Sequence, residues 1–497
     1  MANLKSLAKD TAIYGLSSIV GRFLNYLLVP LYTTVIVADS GGYGIVSNLY
    51  AYTALFLVLL TFGMETTLFR FSNKDGEDAD RVYGTALWMV LTVGIVFLAL
   101  VFIFLRPIAR GMGYADHPEY IGCFAVITAL DAFQAIMFAR LRQQHRPVKF
   151  MVLKMSFIIL SVLLNVFVFL VMPKMFGSFP VLKGIYERFN YGVGLIFFIN
   201  LLCTAVVTLG FLPELKGLSF GFDKSLARRM LRYSWPLLLL GLVGILNQVC
   251  DKILYPYLVP GQEGMVQLGI YGACAKIALI MSLLTQAFRY AYEPLVFAGS
   301  RDKNSPEMLA DGMKYFVIFT LLAFLAVMFY LPILKYLVGR TYWEGLKVIP
   351  IVMMAEIFMG VYFNLSFWYK LTDQTWWGAA MSGIGAAVMI AVNVVFVPRI
   401  GYMACAWGGF AGYGTAMLLS FFIGQRKFPV PYATKDILAY TLLAMALFAV
   451  SQGVSRHVPT VAALAVNTAL FAVYIVYLVR HDLPLGSIPV LNRLLRK

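Results

Sequence analysis

Charge is scarce in this chain. Only 13% of its 497 residues are Asp, Glu, Lys or Arg, whereas 61% are hydrophobic. Soluble domains carry about 25% charged residues, so the composition excludes a soluble globular protein and implies an integral membrane one. Histidine is scarcer still. All four (His117, His145, His457, His481) fall outside the apolar stretches, which leaves no imidazole for chemistry in the membrane core. The five cysteines (Cys123, Cys203, Cys250, Cys274, Cys405) are odd in number and lack metal-ligand spacing. They read as small apolar packing residues, and no metal site or cofactor is expected. A long polar insert is missing too, which argues against the large external loops of polymerases and ligases. No carboxylate pair sits in an early external loop, as a multi-span glycosyltransferase would show, and no repeated filter-like loop suggests a channel. An enzyme is therefore not expected.

What the chain does have is apolar runs. A spanning helix needs about 20 mostly apolar residues, and fourteen stretches qualify. The formal charge of +16 is distributed as a membrane protein distributes it, which argues against nucleic acid as a partner. Clusters at Arg140/Arg142/Arg146/Lys149, Lys224/Arg228/Arg229/Arg232 and Arg493/Arg496/Lys497 fall on one side. By the positive-inside bias that side is cytoplasmic, together with both termini. Lys5 and Lys9 precede the first run without a small-residue cleavage site, the pattern of a signal anchor.

An internal repeat underlies the runs. Placing Tyr43-Gly44 on Tyr271-Gly272, a shift of 228, aligns Leu55 with Leu283, Glu65 with Glu293 and Phe69 with Phe297. It also aligns Asn165 with Asn393 and basic Arg142 with basic Lys370. The expectation is an all-α membrane protein of two pseudo-symmetric six-helix bundles, residues 1–220 and 221–427, with an accessory helix pair and basic tail in 428–497. The basic, polar loop 213–232 separates the halves. An even-numbered unit repeats in the same orientation, about an axis along the membrane normal.

Charges inside apolar helices normally face a protein interior or a water-filled cavity. Arg22 lies deep in helix 1, as either a packing residue satisfied by backbone carbonyls or a cavity residue; the cavity role is preferred. In helix 8, about Leu268 to Phe297, Gln286, Arg289, Tyr290 and Glu293 share one face, and Lys276 lies further up. Glu65 closes helix 2, paired with Arg70 or poised as the counterpart of Glu293. Asp131 in helix 4 either neutralises Arg22 or binds a coupling proton or cation. Asn247 and Asp251 share a face of helix 7, while Asp251 and Lys252 stand on adjacent faces and are not expected to pair well. Asn165 and Asn200 are expected to hydrogen-bond a neighbouring helix, and the aromatics from Phe367 to Trp377 read as an interfacial belt. Helices 13 and 14 carry almost no polar residues and are expected to face lipid or a lipid tail.

Three motifs carry a family resemblance: Gly63-Met64-Glu65 closing helix 2, Asp251-Lys252-Ile253 followed by Leu268-Gly269-Ile270-Tyr271-Gly272, and Asn393 through Pro398 to Gly401-Tyr402-Met403-Ala404-Cys405-Ala406. Across nearly its whole length the chain resembles the polysaccharide flippases of the multidrug/oligosaccharidyl-lipid/polysaccharide exporter superfamily. The resemblance implies two six-helix bundles around a central cavity and two extra helices. It also implies transfer of an undecaprenyl-diphosphate-linked oligosaccharide (an O-antigen, capsule or exopolysaccharide unit) to the outer face of the bacterial plasma membrane by alternating access. Arg22 occupies a place like the deep helix-1 arginine of the related lipid II flippases. On this view Arg22, Lys252, Lys276 and Arg289 bind the anionic headgroup. Glu65, Asp131, Asp251 and Glu293 serve gating or coupling to H+ or Na+, and glycosyltransferases and a polymerase are the partners. A drug/cation antiporter of the same superfamily, a lipid II flippase-like protein and a non-transporting assembly scaffold are the alternatives. The cations and the extra helix pair favour an anionic lipid over the antiporter, and a scaffold needs no deep charges.

Reporter fusions after residues 40, 260 and 457 should all report the outer side. A cytoplasmic signal at any of them would refute this topology.

Overall fold

The computed structural model describes residue 26 and residues 28–74, 76–189, 192–215, 222–299 and 305–482. Among them there is no strand, and thirteen helices are long and apolar enough to cross a membrane. They correspond to predicted helices 2 to 14. Of helix 1 the described part is its end, α1 (Leu28–Val35). The chain is thus an all-α, multi-pass membrane protein.

Helix ends follow their local chemistry. The second span is broken into α2 (Gly42–Thr61) and α3 (Met64–Ser72) by two left-handed residues, Phe62 (φ 34°) and Gly63 (φ 75°). Gly63 tolerates that conformation because it has no Cβ, and one added there would lie 2.9 Å from the Cβ of Leu237. Asp78 caps α4 (Ala79–Ile103) by accepting from the Asp80 amide. α5 (Pro118–Gln143) opens on Pro118 and Glu119 and ends on Arg140 and Arg142, each charge placed to suit the helix dipole. α6 (Pro147–Val166) and α7 (Val193–Gly210) complete the first half. Asp223 caps α8 (Lys224–Leu258) by accepting from the Ser225 and Leu226 amides at 2.8 and 3.1 Å. Beyond it run α9 (Gln262–Gly299), α10 (Ser305–Phe329), α11 (Ile349–Leu365), α12 (Trp376–Ile400), α13 (Met403–Lys427), α14 (Thr434–Ser455) and α15 (Thr460–His481).

Two compact units divide the residues. One comprises Met1–Ala273, Gly339–Tyr342 and Ile390–Cys405; the other comprises Cys274–Val338, Trp343–Met389 and Ala406–Lys497. In the first unit α5 is the central, most enclosed helix, flanked by α2, α4, α6 and α7, while α8 lies along α2. α4 turns Ile95, Val96, Leu100 and Ile103 outward, a lipid-facing stripe. In the second unit α10 is the hub, packed by α11, α14 and α15. The accessory pair is more polar at its contacts than its composition suggests. Asn467 donates to the Phe329 carbonyl (2.9 Å), Tyr474 donates to the Ile318 carbonyl (3.0 Å), and Lys314 holds both Asp436 (2.6 Å) and Asp482 (2.5 Å). Asp482 lies beyond the end of α15. Its burial would raise its pKa, but hydrogen bonds from Lys314 and Tyr440 outweigh that effect and hold the carboxyl below its usual range.

Small residues set the closest helix approaches, as expected where apolar lipid offers no drive for helix association. A Cβ on Gly44 would fall 1.9 Å from the Met265 carbonyl, and a Cβ on either Gly385 or Gly412 would sit 2.7 Å from the other's carbonyl. Gly453 has no such neighbour within 4 Å. Gly44→Val and Gly412→Val should each lower thermal stability in detergent by about 1–3 kcal/mol, the cost of overpacking, whereas Gly453→Val should not. Equal melting temperatures for all three would contradict these crossings.

Candidate functional site

Two ion pairs occupy the repeat-related ends of the spans. Just past the Phe62-Gly63 break, Glu65 Oε2 accepts from Arg142 at 2.8 Å; in the second half Glu293 Oε1 accepts from Lys370 Nζ at 3.0 Å. Both pairs join residues 77 apart, so the matched carboxylates meet the matched cations. Glu65 does not pair with Arg70, whose guanidinium instead stacks 4.2 Å above the ring of Tyr233. Arg289 stands one turn before Glu293, 3.8 Å from its carboxylate and 4.4 Å above the Phe363 ring. Glu293 is therefore shared by two cations on one side of α9. Lys276 is half-buried, several turns nearer the start of the same helix.

A second polar group lies mid-span in the first half. Thr204 reaches Asp131 Oδ1 at 3.5 Å and Asn200 Oδ1 at 3.4 Å, and Asn200 donates to the Tyr50 hydroxyl at 2.5 Å. Among the described residues, the opposite charge whose field reaches Asp131 is that of Lys154, and the same amine also feels Glu65 and Arg142. Lys154 lies 4.2 Å above the Phe138 ring. Sequence reasoning missed Lys154 because it stands close behind Lys149 and merges with the interfacial basic cluster. Its distinguishing signal was its place two turns inside an otherwise apolar helix. Arg22, the other candidate partner of Asp131, lies outside the described residues.

The third group corrects the expectation for Asp251 and Lys252. The lysine side chain curls back so that Nζ sits 3.0 and 3.1 Å from the two Asp251 oxygens and 3.2 Å from the Gln248 carbonyl. Adjacent faces of a helix do not prevent pairing when one partner has a long, flexible stem. Tyr271 donates to Asp251 Oδ2 at 2.7 Å, Asn48 donates to the Lys252 carbonyl at 2.7 Å, and Tyr114 donates to Asn48 Oδ1 at 2.7 Å. The buried carboxylate is fully compensated. Deleting one member of such a pair costs about 3–5 kcal/mol.

This network belongs to a wider clasp on the side of the membrane away from the basic loops. Gly339 N donates to Thr33 Oγ1 (2.9 Å), Ala38 N to Thr341 Oγ1 (3.1 Å), and Tyr342 to the Ile36 carbonyl (2.7 Å). Gln262 donates to the Ser40 carbonyl (2.7 Å), and the Tyr52 and Tyr257 hydroxyls meet at 2.9 Å. Residues 33–52 are thereby tied to residues 252–262 and 339–342 largely through backbone groups, a contact that sequence patterns do not announce. Of the repeat-matched amides, Asn165 accepts from Tyr32 (2.8 Å) and donates to Ser161 (2.7 Å). Asn393 is fully buried with neither side-chain atom hydrogen-bonded. Among the described residues no cluster of His, Cys, Asp and Glu could hold a metal.

Comparison with known proteins agrees with this architecture. An inward-closed structure of the lipid II flippase MurJ superposes with a TM-score of 0.73 at 13% identity, over 94% of this chain and 98% of that one. An inward-facing multidrug-resistance MATE family transporter of the MOP superfamily gives 0.64 at 14% identity, over 81% and 93%. The MATE multidrug transporter DinF-BH gives 0.58 at 15% identity, over 84% and 95%. Such low identities establish a shared fold. No curated protein sequence matches. A family model described as polysaccharide biosynthesis protein matches residues 7–292, more than half of the chain, and the protein belongs to that family.

Proposed function

We propose that the protein flips a polyprenyl-diphosphate-linked oligosaccharide from the cytoplasmic to the outer face of the bacterial plasma membrane by ion-coupled alternating access, with both termini cytoplasmic and with glycosyltransferases and a polymerase as partners. The observation that carries this reading is the set of cations held within apolar spans of a polysaccharide-biosynthesis family member. An anionic diphosphate crosses hydrocarbon only if its charge is compensated. Arg289 suits this role because guanidinium stays charged when desolvated and contacts phosphate in a bidentate manner. Its release from Glu293 is inexpensive, since Lys370 remains to satisfy that carboxylate. Lys276 lies several turns nearer the start of the same helix, and Arg22, which the sequence alone places in helix 1, is the third cation proposed. Lys252 is committed to Asp251, so its role is in the clasp. Asp131, with the field of Lys154 acting on it and the Thr204 hydroxyl beside it, is the group best suited to exchange a coupling proton or cation.

In proteoliposomes given labelled polyprenyl-diphosphate oligosaccharide, Arg289→Ala should lower the flipping rate at least tenfold, and Arg289→Lys should recover part of it. An unchanged rate in Arg289→Ala would return Arg289 to the role of a structural partner of Glu293. A rate that stays low while the same vesicles move a cationic dye would favour the antiporter.

Alternating access also requires the clasp to open. Ala38→Cys with Thr341→Cys, in a background lacking the five native cysteines, should stop flipping when oxidised and restore it on reduction. Flipping that continues through the cross-link would show that these residues do not part during transport.

A further inference from the structure

The first turns of α8 carry a stripe of side chains that neither the ion pairs nor the clasp uses. Lys224, Arg228 and Arg232 are spaced i, i+4, i+8, so they share a face, and all three are exposed. Directly along that face stand Leu231, Trp235 and Leu239, exposed by 47%, 61% and 47%. The acids nearby are already engaged. Glu77 is held by Arg229, Asp223 caps the helix and meets Arg81 at 2.9 Å, and Glu214 is held by Arg146 and Lys149. Glu214 lies outside the spans. Burial would raise its pKa, but the two cations outweigh that and hold its carboxyl below its ordinary value. Among the described residues no acid pairs with Lys224, Arg228 or Arg232, and the preceding loop, residues 216–221, contains none in its sequence.

An unneutralised basic stripe that continues into an exposed Trp/Leu stripe has one complementary ligand in a membrane. The three cations span about 12 Å of helix, a distance suited to the headgroup layer, and the apolar side chains continue towards the hydrocarbon. We propose that the start of α8 is a docking site for an anionic membrane phospholipid of the leaflet beside the basic loops. Its phosphate is held by Lys224, Arg228 and Arg232, and an acyl chain lies along Leu231, Trp235 and Leu239. The opposite side of the same turns faces the first half of the chain, where Arg229 meets Glu77 and Tyr233 meets Arg70. A seated lipid therefore lies on the face of the start of α8 opposite these contacts. This inference does not depend on what the protein transports.

The test uses the purified full-length protein in a zwitterionic detergent, titrated with phosphatidylglycerol while thermal unfolding is followed. Wild type should be stabilised saturably, and phosphatidylcholine should have no such effect. The triple variant Lys224→Gln/Arg228→Gln/Arg232→Gln should fold, because all three side chains are exposed, yet bind with an affinity about 100-fold lower, given the worth of each basic residue at an anionic surface. Arg228→Lys/Arg232→Lys should retain the response. Three outcomes would overturn the proposal: an equal shift in wild type and the triple Gln variant, the same shift with inorganic phosphate alone, or stoichiometric displacement of phosphatidylglycerol by a polyprenyl diphosphate, which would assign the stripe to a transported lipid.

Discussion

The cost of an unpaired charge in hydrocarbon governs this molecule. A chain that is 61% hydrophobic can place charged groups within its spans only where each finds compensation. Glu65 meets Arg142, Glu293 meets Lys370 and Arg289, and Asp251 meets Lys252 and Tyr271. Helix order, helix breaks and small-residue crossings all serve to bring these groups into register. The break at Phe62-Gly63 lets Glu65 leave the line of α2 just where Arg142 ends α5. The absence of a Cβ on Gly44 lets residues 33–52 come close enough to the start of α9 for the far-side clasp to form.

The pairs differ in how readily they can be exchanged. Glu293 has two cationic neighbours, so one can leave without stranding the carboxylate. Asp251 is bound by its own neighbour in sequence, by a tyrosine hydroxyl and by a backbone amide. The first arrangement is what the anion-binding role proposed for Arg289 requires. The second leaves the Asp251 carboxylate no spare cation to release. Asp131 stands between these cases, with a long contact to Thr204 and a lysine whose field reaches it.

Binding and bracing also divide between the faces of single helices. α8 uses one side of its first turns to grip α3 and the loop before α4, and leaves the other side basic over exposed leucine and tryptophan. A helix inside a soluble protein would not keep such a stripe, because exposed Trp235 beside Leu231 and Leu239 would favour aggregation. In a membrane the same stripe is what the proposed phospholipid site requires, an apolar surface with a charged margin.

Composition and periodicity alone established the class. The scarcity of charge, the apolar runs and the basic loops determined a multi-pass helical protein and the approximate positions of thirteen described spans, because burial in lipid acts on each segment independently of its neighbours. The constant shift of 228 likewise predicted that Glu65 and Arg142 would correspond to Glu293 and Lys370, since repeats preserve spacing. Only the tertiary structure decided which charges meet. Arg142 rather than Arg70 reaches Glu65, Lys252 curls back on Asp251, and Lys154 joins the surroundings of Asp131, because pairing depends on helix crossings and side-chain reach that no single helix encodes. The clasp was out of sequence reach for a further reason. Its bonds run mostly to backbone groups, which every residue type possesses, so only the approach of distant segments, permitted by glycines such as Gly44 and Gly339, selects the partners.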